Sequence, residues 1–315
     1  FINEIKPDII IIHNNALYPV SVLLACRGYK TLHIVHDFYL ICPTIWAVQK
    51  KNLKDCPCGV RLRCINQCSI NPLALVFFYT PLFFFRKLAL KRIVDILIAP
   101  SSMLVTYLNQ SGFRAILMRN PVPLYKKDNA LTGFDRYKLS KITRHPYLLY
   151  VGSLTENKGV HFLILAFKKV RTSFPQINLK IVGEGEQKPF LESLARQLGL
   201  AEFINFLSFV SRDEIYNLYK DALALVVPSI GRENWPTVIC EAMAFGCPVV
   251  GSDRGGISEL LGFGARGLLF KPGDIYDLAD KIRMLIQDPQ LSYELSRRGK
   301  SYVETVLDNK NYLNE

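Results

Sequence analysis

The chain has 315 residues, of which 50% are hydrophobic and 21% are charged, and its formal net charge is +12. This composition excludes a disordered or low-complexity chain and suits two domains of about 150 residues each. The excess charge lies in one half: residues 1–148 hold 20 basic and 7 acidic side chains, whereas residues 149–315 hold 19 and 20. We therefore expect the first half to meet an anionic partner.

The first residues resemble the interior of a longer protein. The chain opens on Phe1 and passes through a short helix-to-strand connection into an apolar strand at 8–12. We therefore expect an N-terminal segment to be missing, and no signal peptide can be judged from such a start.

Two strands in the first half end in histidines. Residues 8–12 are a β-branched run that predicts a strand buried on both faces of a parallel sheet, and His13 follows it. Residues 31–35 predict the next strand, with His36 after it. Because α/β proteins bind ligands at the carboxyl ends of their strands, His36 and, more weakly, His13 are candidate site residues. The alternative is a structural role, and His33 is expected to point to the other face of the sheet.

Five cysteines cluster in the stretch 40–70. Their spacing approaches that of metal ligands, although no pair has the C-x2-C spacing of most structural zinc sites. Reduced buried thiols are the default interpretation, a structural zinc ion is the alternative, and disulfides are disfavoured for a chain that faces the cytosol. The candidate zinc ligands are Cys42, Cys56, Cys58, Cys64 and Cys68.

A basic and aromatic stretch follows these cysteines. Residues 40–94 hold nine Lys and Arg and one acid, and the apolar run 73–85 holds five Phe. The charge attracts an anionic membrane, an acidic acceptor or nucleic acid, and the aromatic neighbours favour lipid over nucleic acid. The run is shorter than the roughly 20 residues of a spanning helix and contains Pro81, so it predicts an interfacial or buried element. A basic helix is expected at 86–94.

The remaining first-half pattern sets the domain boundaries. Residues 95–99 predict a strand, and Ser101 is expected to cap the helix after it. Residues 124–146 are polar and basic and show no hydrophobic periodicity, which is typical of a linker. The expected organisation is an N-terminal domain at 1–123, a linker at 124–146, a C-terminal domain at 147–289, and a crossover helix with a tail at 290–315.

The C-terminal domain opens on a possible phosphate-binding loop. A strand at 147–151 is followed by a glycine-bearing loop with Lys158 and then by a helix. Such a loop offers backbone N–H groups and an ammonium group to a phosphate, although the order of a Walker loop is missing. The next strand, 179–182, ends in a G-x-G sequence, for which a tight turn is the simplest interpretation.

The most informative stretch is 227–260, a strand–loop–helix–strand unit. The helix is expected to begin at Pro236 with Thr237 as its cap. The loop and helix N-terminus offer N–H groups to an anion, while Glu233 and Glu241 offer carboxylates to hydroxyls. This pattern predicts a site for phosphates and sugar hydroxyls, with two solvated glutamates near a helix start as the alternative.

The residues E-N-W-P-T-V-I-C-E-A-M-A-F-G-C-P-V-V at 233–250 resemble the E-x7-E signature of the retaining glycosyltransferase family 4. The sequences D-I-L-I-A-P-S-S at 95–102, R-N-P-V-P at 119–123 and V-G-E-G at 182–185 are also similar to family segments. The resemblance implies an α/β protein of GT-B type, with two Rossmann-like domains whose parallel sheets face each other across a cleft. A cysteine-bearing insert after an H-D-[FY] segment resembles one in a subset of the family, which implies a zinc knuckle.

The resemblance also implies roles for single residues. Glu241 binds the donor ribose, Glu233 lies beside the donor sugar and phosphates, Lys158 meets the pyrophosphate, and His36 meets the sugar. His36, Lys158 and Glu233 are thus the expected catalytic residues. The family motif has Arg where this chain has Ser153, so one positive charge is missing. Either Arg232 or Arg254 supplies that charge instead, or the protein has lost its activity. The expected donor-binding residues are Gly152, Ser153, Lys158, Val210, Glu233, Asn234, Trp235, Pro236, Thr237 and Glu241.

The sequence therefore predicts a retaining, hexosyltransferase-type glycosyltransferase. It would move a sugar from a UDP or GDP sugar to a glycan or lipid-linked acceptor in cell-surface polysaccharide synthesis, in the cytoplasm and peripheral to an anionic membrane. No catalytic metal is expected, because no D-x-D pair is present, and no nucleic acid partner is expected. The alternative is a catalytically silent partner subunit that binds a nucleotide-sugar; a sugar-nucleotide epimerase or a phosphorylase accounts less well for the E-x7-E block.

Overall fold

The computed structural model describes residues 2–13, 20–42, 48, 49, 53, 56, 62–121 and 146–307. The chain forms two compact units. The first comprises Phe1–Asn120 and Gly231–Trp235, and the second comprises Pro121–Ile230 and Pro236–Glu315. Residues 231–235, which include the first glutamate of the E-x7-E sequence, therefore group with the first unit, although their neighbours on both sides belong to the second. The predicted linker lies outside the described residues up to 145.

The first unit is built on a four-stranded parallel sheet in the order β1-β2-β3-β4. Its core packs apolar side chains of the sheet against the helices, as Leu23, Leu90, Leu97 and Leu104 do. Parallel pairing places all four carboxyl ends at one edge. The strands are β1 (Ile9–His13), β2 (Lys30–Ile34), β3 (Ile96–Ala99) and β4 (Ala115–Leu117). The helices are α1 (Ile2–Ile5), α2 (Val20–Ala25), α3 (Arg63–Cys68), α4 (Pro72–Ile93) and α5 (Ser102–Gln110).

The prediction that the first strand is buried on both faces is wrong. Ile9 and Ile11 are more than half exposed, whereas Ile12 is buried. Among the described strands β1 pairs with β2 alone, so it is an edge strand with one covered face. A run of four isoleucines has no polar alternation, and the sequence therefore does not reveal which face is covered.

Helix α4 joins two elements that the sequence predicts separately, the apolar run and the basic helix. Residues Leu75–Tyr79 form a π-helical turn in which the Thr80 N–H donates to Leu75 O, and Thr80 Oγ1 donates to the same oxygen at 2.7 Å. This wider turn precedes Pro81, which lacks an N–H, and the helix continues to Ile93. In the described part of the chain, α4 is the one helix long and apolar enough to cross a membrane, by length and composition alone.

The second unit is built on a six-stranded parallel sheet in the order β10-β9-β8-β5-β6-β7. The expected α/β class with two parallel sheets is therefore confirmed. The strands are β5 (Tyr147–Val151), β6 (Asn178–Val182), β7 (Ile204–Leu207), β8 (Ala224–Val227), β9 (Val249–Ser252) and β10 (Leu268–Phe270). The helices are α6 (Val160–Ser173), α7 (Lys188–Gln197), α8 (Arg212–Asp221), α9 (Thr237–Ala244), α10 (Gly256–Leu260), α11 (Ile275–Gln287) and α12 (Pro289–Val306).

One predicted helix cap is confirmed and one is wrong. Ser101 is the N-cap of α5, and its Oγ accepts from the N–H of Leu104 at 3.2 Å. The N-cap of α9 is Pro236, because Thr237 is already the first helical residue, and no side chain caps this end. The first-turn amides of α9 therefore have no side-chain acceptor from a capping residue.

The final helix, α12, supports the helix that carries Glu241. It packs against α9 and α11 within the second unit. At Gly299 a β-carbon would lie 2.9 Å from the Met243 side chain, so α12 and α9 approach closely. The predicted tail from 308 onward lies outside the described residues.

Candidate functional site

Three loops meet at the carboxyl edge of the second sheet, after the adjacent strands β5, β8 and β9. The Ile230 N–H donates to Asn157 O at 2.9 Å, which joins the loop after β8 to the loop after β5. Arg254 Nη1 donates to Ile230 O at 2.7 Å, which joins the loop after β9. The cations of Lys158 and Arg254 therefore belong to loops that are bonded to each other at one edge.

Gly159 makes the contact between two of these loops possible. It links Lys158 to α6 with a φ of +67°, and a β-carbon here would lie 2.2 Å from Pro228 O. Any other residue meets both the strained φ and the backbone of the loop after β8. The position of Lys158 thus depends on this glycine.

The G-x-G sequence after β6 serves backbone packing. At Gly183 a β-carbon would lie 1.9 Å from Gly152 O, and the Gly152 N–H donates to Val182 O at 3.0 Å. Ser153 is exposed on the same loop, and its carbonyl accepts from the Tyr150 hydroxyl at 2.8 Å. The simple interpretation as a tight turn therefore has structural support, and no ligand is required to explain these glycines.

Glu241 on α9 is oriented by a residue that the sequence did not reveal. The Tyr219 hydroxyl donates to Glu241 Oε2 at 3.0 Å, and Tyr219 is fully buried on α8. Burial, and then the Glu241 charge, raise the pKa of Tyr219, so the phenol stays protonated and keeps donating. The sequence feature that indicates this role is a tyrosine on the apolar face of the helix Arg212–Asp221. A buried tyrosine usually finds a partner for its hydroxyl.

Asn234 anchors the segment 231–235 within the first unit. Its Nδ2 donates to Val35 O at 3.2 Å and to His36 O at 3.1 Å, and its Oδ1 accepts from Ser101 Oγ at 2.5 Å. Both amide hydrogens and the carbonyl oxygen are thus used. Asn234 is a predicted donor-binding residue, but its side chain is fully hydrogen-bonded within the protein. Any contact of Asn234 with a ligand would therefore use its backbone N–H. Glu233 is thereby held beside the carboxyl end of β2, where His36 lies.

The neighbours of Asn234 are also held in the first unit. Arg232 is buried, donates to the Tyr107 hydroxyl and to Cys56 O at 3.4 Å, and lies over the Tyr107 ring. The Arg232 side chain is therefore engaged within the first unit. Trp235 is 6% exposed, and its Nε1 has no partner among the residues that the structure describes.

The two strand-end histidines lie together, as parallel strands predict. The rings of His13 and His36 stack with centroids 5.4 Å apart, and His13 Nδ1 lies 3.1 Å from His36 Nε2. Burial and then His13 lower the pKa of His36, against an opposing effect of Asp37, so His36 favours its neutral form. His33 is buried, and burial is the main cause that lowers its pKa to about 4.

The remaining predicted site residues fall in both units. Val210 lies after β7, Pro236 and Thr237 begin α9, and Lys158 closes a 3-10 turn. Glu233, Asn234 and Trp235 belong to the first unit with His36.

The cysteines do not form a metal site in the described part of the chain. Cys42, Cys56, Cys64 and Cys68 are buried, and Cys58 lies outside the described residues. No three His, Cys, Asp or Glu side chains within the described ranges lie close enough together to hold an ion. The zinc interpretation therefore stays a prediction.

The chain is thus an α/β protein with two parallel-sheet units. Its second unit holds Glu241 and the sheet edge with Lys158 and Arg254, groups suited to hydroxyls and phosphates. The model of the family "Glycosyl transferases group 1" matches residues 133–302. The chain therefore belongs to the group 1 glycosyl transferases.

Curated relatives match about half of the chain. An uncharacterized glycosyltransferase of Methanocaldococcus jannaschii is 36% identical over 141 residues, which are 45% of this chain and 36% of that protein. A glycogen synthase of Mycobacterium tuberculosis is 34% identical over 161 residues, which are 51% of this chain and 39% of that protein. The matched part thus spans well under two thirds of these relatives.

Solved structures share the fold over nearly the whole chain. Sucrose-phosphate synthase from Thermosynechococcus elongatus superposes with a TM-score of 0.74 at 21% identity, covering 99% of this chain and 73% of that one. The HepE protein of Anabaena in complex with UDP gives a TM-score of 0.72 at 22% identity, covering 97% and 76%. At these identities the likeness shows the GT-B fold alone, and it confirms that expectation.

Proposed function

We propose that this chain is a retaining glycosyltransferase that takes a hexose-type sugar from a UDP or GDP sugar. The observation that carries the proposal is the bonded edge of the second unit. There the loops of Lys158 and Arg254 are joined through Ile230, and the same unit holds Glu241 in a fixed orientation through Tyr219. UDP in the complex of HepE supports a nucleotide as the ligand class.

Each group has a role that its chemistry suits. The donor diphosphate binds the uncapped amides at the start of α9 and the ammonium group of Lys158. Glu241 accepts from the ribose hydroxyls through the oxygen atom that Tyr219 does not hold. Glu233 and neutral His36 contact the sugar, and the backbone N–H groups of Asn234, Trp235 and Thr237 complete the donor contacts.

The transfer step needs no metal and no carboxylate nucleophile. The bond between the anomeric carbon and the diphosphate oxygen breaks, and its electron pair leaves with the diphosphate. The acceptor oxygen bonds to the same face of the ring, and its proton passes to the departing diphosphate. Lys158 and the α9 amides stabilise the negative charge that grows on that oxygen.

Arg254 supplies the second cation that Ser153 does not. It lies at the end of β9 and bonds to the loop after β8, whereas Arg232 is held in the first unit. A charge-assisted hydrogen bond contributes about 1.5–3 kcal/mol, so this replacement decides whether the donor binds tightly.

The acceptor is a glycan or a lipid-linked precursor of cell-surface polysaccharide, at the cytoplasmic face of an anionic membrane. The support is the charge of the first half, which holds 20 basic against 7 acidic residues up to 148. Such a field attracts anionic lipid and acidic acceptors.

The test of donor binding is protection against heat by a panel of UDP, GDP and ADP sugars. We expect one UDP or GDP sugar to raise the unfolding temperature of the wild-type chain, and a smaller rise in Arg254→Ala. Protection without release of nucleotide diphosphate favours the second candidate, the silent partner subunit that Ser153 suggests. No protection by any of them would overturn both.

A structural zinc ion in the cysteine insert is a separate proposal. Four of the five candidate ligands are buried thiols, which suits a closed site. Metal analysis of the purified chain is expected to find one zinc per chain that a chelator removes with loss of stability. A chain free of metal would leave the cysteines as reduced buried thiols.

A further inference from the structure

Helix α4 exposes a large apolar surface on the first unit. Phe77 is 76% exposed and Phe84 is 63% exposed, although phenylalanine is usually buried. Of an apolar 18-residue window of this helix, only 22% is buried. The other large apolar residues exposed on α4 are Leu73, Val76, Phe78, Phe85 and Leu88.

The carboxyl-terminal turns of α4 are part of the protein core. Ala89, Leu90 and Ile93 are buried in the core of the first unit, and α4 packs against α2. This end of the helix is therefore fixed within the unit. The exposed part from Leu73 to Leu88 extends about 24 Å at 1.5 Å per residue, short of the roughly 30 Å of a bilayer core. The geometry fits a helix that lies in a membrane surface better than one that spans it.

The charges of α4 define the kind of surface that it fits. The helix contains four Lys and Arg and no acidic residue, and all four follow the aromatic part. Lys87, Lys91 and Arg92 are exposed, while Arg86 is buried over the Tyr39 ring. An apolar aromatic part followed by exposed cations matches the acyl boundary and the phosphates of an anionic bilayer.

We propose that α4 is a membrane-docking helix that inserts Phe77 and Phe84 into the surface of an anionic bilayer, with Lys87 and Arg92 on the headgroups. This inference deepens the proposed function. It rests on that function in one respect, that docking brings the first unit to a lipid-linked acceptor. Binding to lipid needs neither the donor nor the acceptor.

Co-sedimentation with vesicles of phosphatidylglycerol and phosphatidylcholine tests the proposal. The wild-type chain is expected to bind, and Phe77→Ser/Phe84→Ser to bind at least about tenfold more weakly, because two apolar anchors are lost. The matched control is Phe209→Ser/Phe263→Ser, since these phenylalanines are 90% and 77% exposed in the second unit. Equal loss in both pairs, or none in the α4 pair, would overturn the proposal.

Charge reversal tests the second half of the argument. Lys87→Glu/Arg92→Glu is expected to weaken binding to anionic vesicles, and Lys168→Glu/Lys271→Glu, at exposed sites of the second unit, to leave it nearly unchanged. Binding should fall with salt and be weak on pure phosphatidylcholine. A concentration-dependent dimer that the α4 variants abolish, without vesicle binding, would assign the surface to a second copy instead. The proposed function is tested separately, by heat protection with the nucleotide-sugar in the absence of vesicles. If that function is wrong, this protection is absent whether or not the chain binds vesicles.

Discussion

At the scale of single residues, two buried hydrogen-bonding side chains set the geometry of the E-x7-E stretch. Asn234 holds the segment with Glu233 against the backbone of Val35 and His36, and Tyr219 holds Glu241. Neither side chain is free to bind a ligand, because its polar atoms are engaged within the protein. Both therefore act as positioning residues whose loss moves a carboxylate.

Removal of the Tyr219 hydroxyl tests this role. In Tyr219→Phe the ring still fills its buried space, but Glu241 loses its donor and is free to rotate. We expect the affinity for the protecting nucleotide-sugar to fall about fivefold, from the loss of about 1 kcal/mol of hydrogen bonding. Titration calorimetry measures it, with Tyr216→Phe on the same helix as the control. Equal affinities in the two variants would show that the bond to Glu241 does not position the site.

The buried His33 gives the protein a pH-dependent stability. Its folded-state pKa is lowered to about 4, so the unfolded chain binds more protons between that value and about 6.5. This contribution is fully present above the unfolded pKa and is lost as pH falls toward the folded pKa.

We expect the free energy of unfolding to fall by about 2 kcal/mol from this one histidine between pH 7 and pH 5. His33→Leu removes the titrating group, so its stability should depend less on pH in urea unfolding. Ile34→Val, the control on the same strand, should lose stability equally at both pH values. The same pH dependence in His33→Leu and in the wild type would contradict the assignment to His33.

At the scale of elements, the loops at the carboxyl edge of the second sheet are packed backbone against backbone. This packing makes Gly159 and Gly199 an informative pair, since their φ angles are +67° and +70°. A β-carbon at Gly159 meets Pro228 O at 2.2 Å, whereas one at Gly199 meets nothing within 4 Å.

Alanine at both positions has the same backbone strain, of about 1 kcal/mol. Gly159→Ala should be destabilised further and should bind the nucleotide-sugar more weakly, because the Lys158 loop is pushed from the loop after β8. Gly199→Ala should show the strain alone. Thermal unfolding and calorimetry measure the two effects. Similar losses in both variants would mean that the close approach at Gly159 is unimportant.

The sequence predicted the elements of the second unit well because each carries its own pattern. The strand 147–151 has the predicted bounds, and the strand predicted at 179–182 begins one residue earlier, at Asn178. Helix α4 was predicted as two pieces because Pro81 indicates a break, and only the structure reveals the π-helical turn before it. The exposed side of β1 and the place of residues 231–235 depend on partners far away in the chain. Asn234 bonds to His36 across 198 positions, and no local pattern records such a contact.

At the scale of the whole molecule, the two halves of the chain differ in charge. The basic residues in excess lie in the first half, with the exposed apolar surface of α4, while the second half is nearly neutral. The edge with Lys158 and Glu241 belongs to the second unit. Our proposals accordingly give the nucleotide-sugar to the second unit and the membrane to the first.

The most direct test of the central claim is the rate at which nucleotide diphosphate is released from the protecting nucleotide-sugar. The wild-type chain should release it slowly, and faster with an acceptor. Lys158→Ala and Glu241→Ala should each lower the rate about 100-fold, because stabilisation of the leaving diphosphate or orientation of the donor is lost. Lys168→Ala and Glu202→Ala, at exposed positions of the same unit, should match the wild type. Undiminished release in Lys158→Ala and Glu241→Ala would contradict the account.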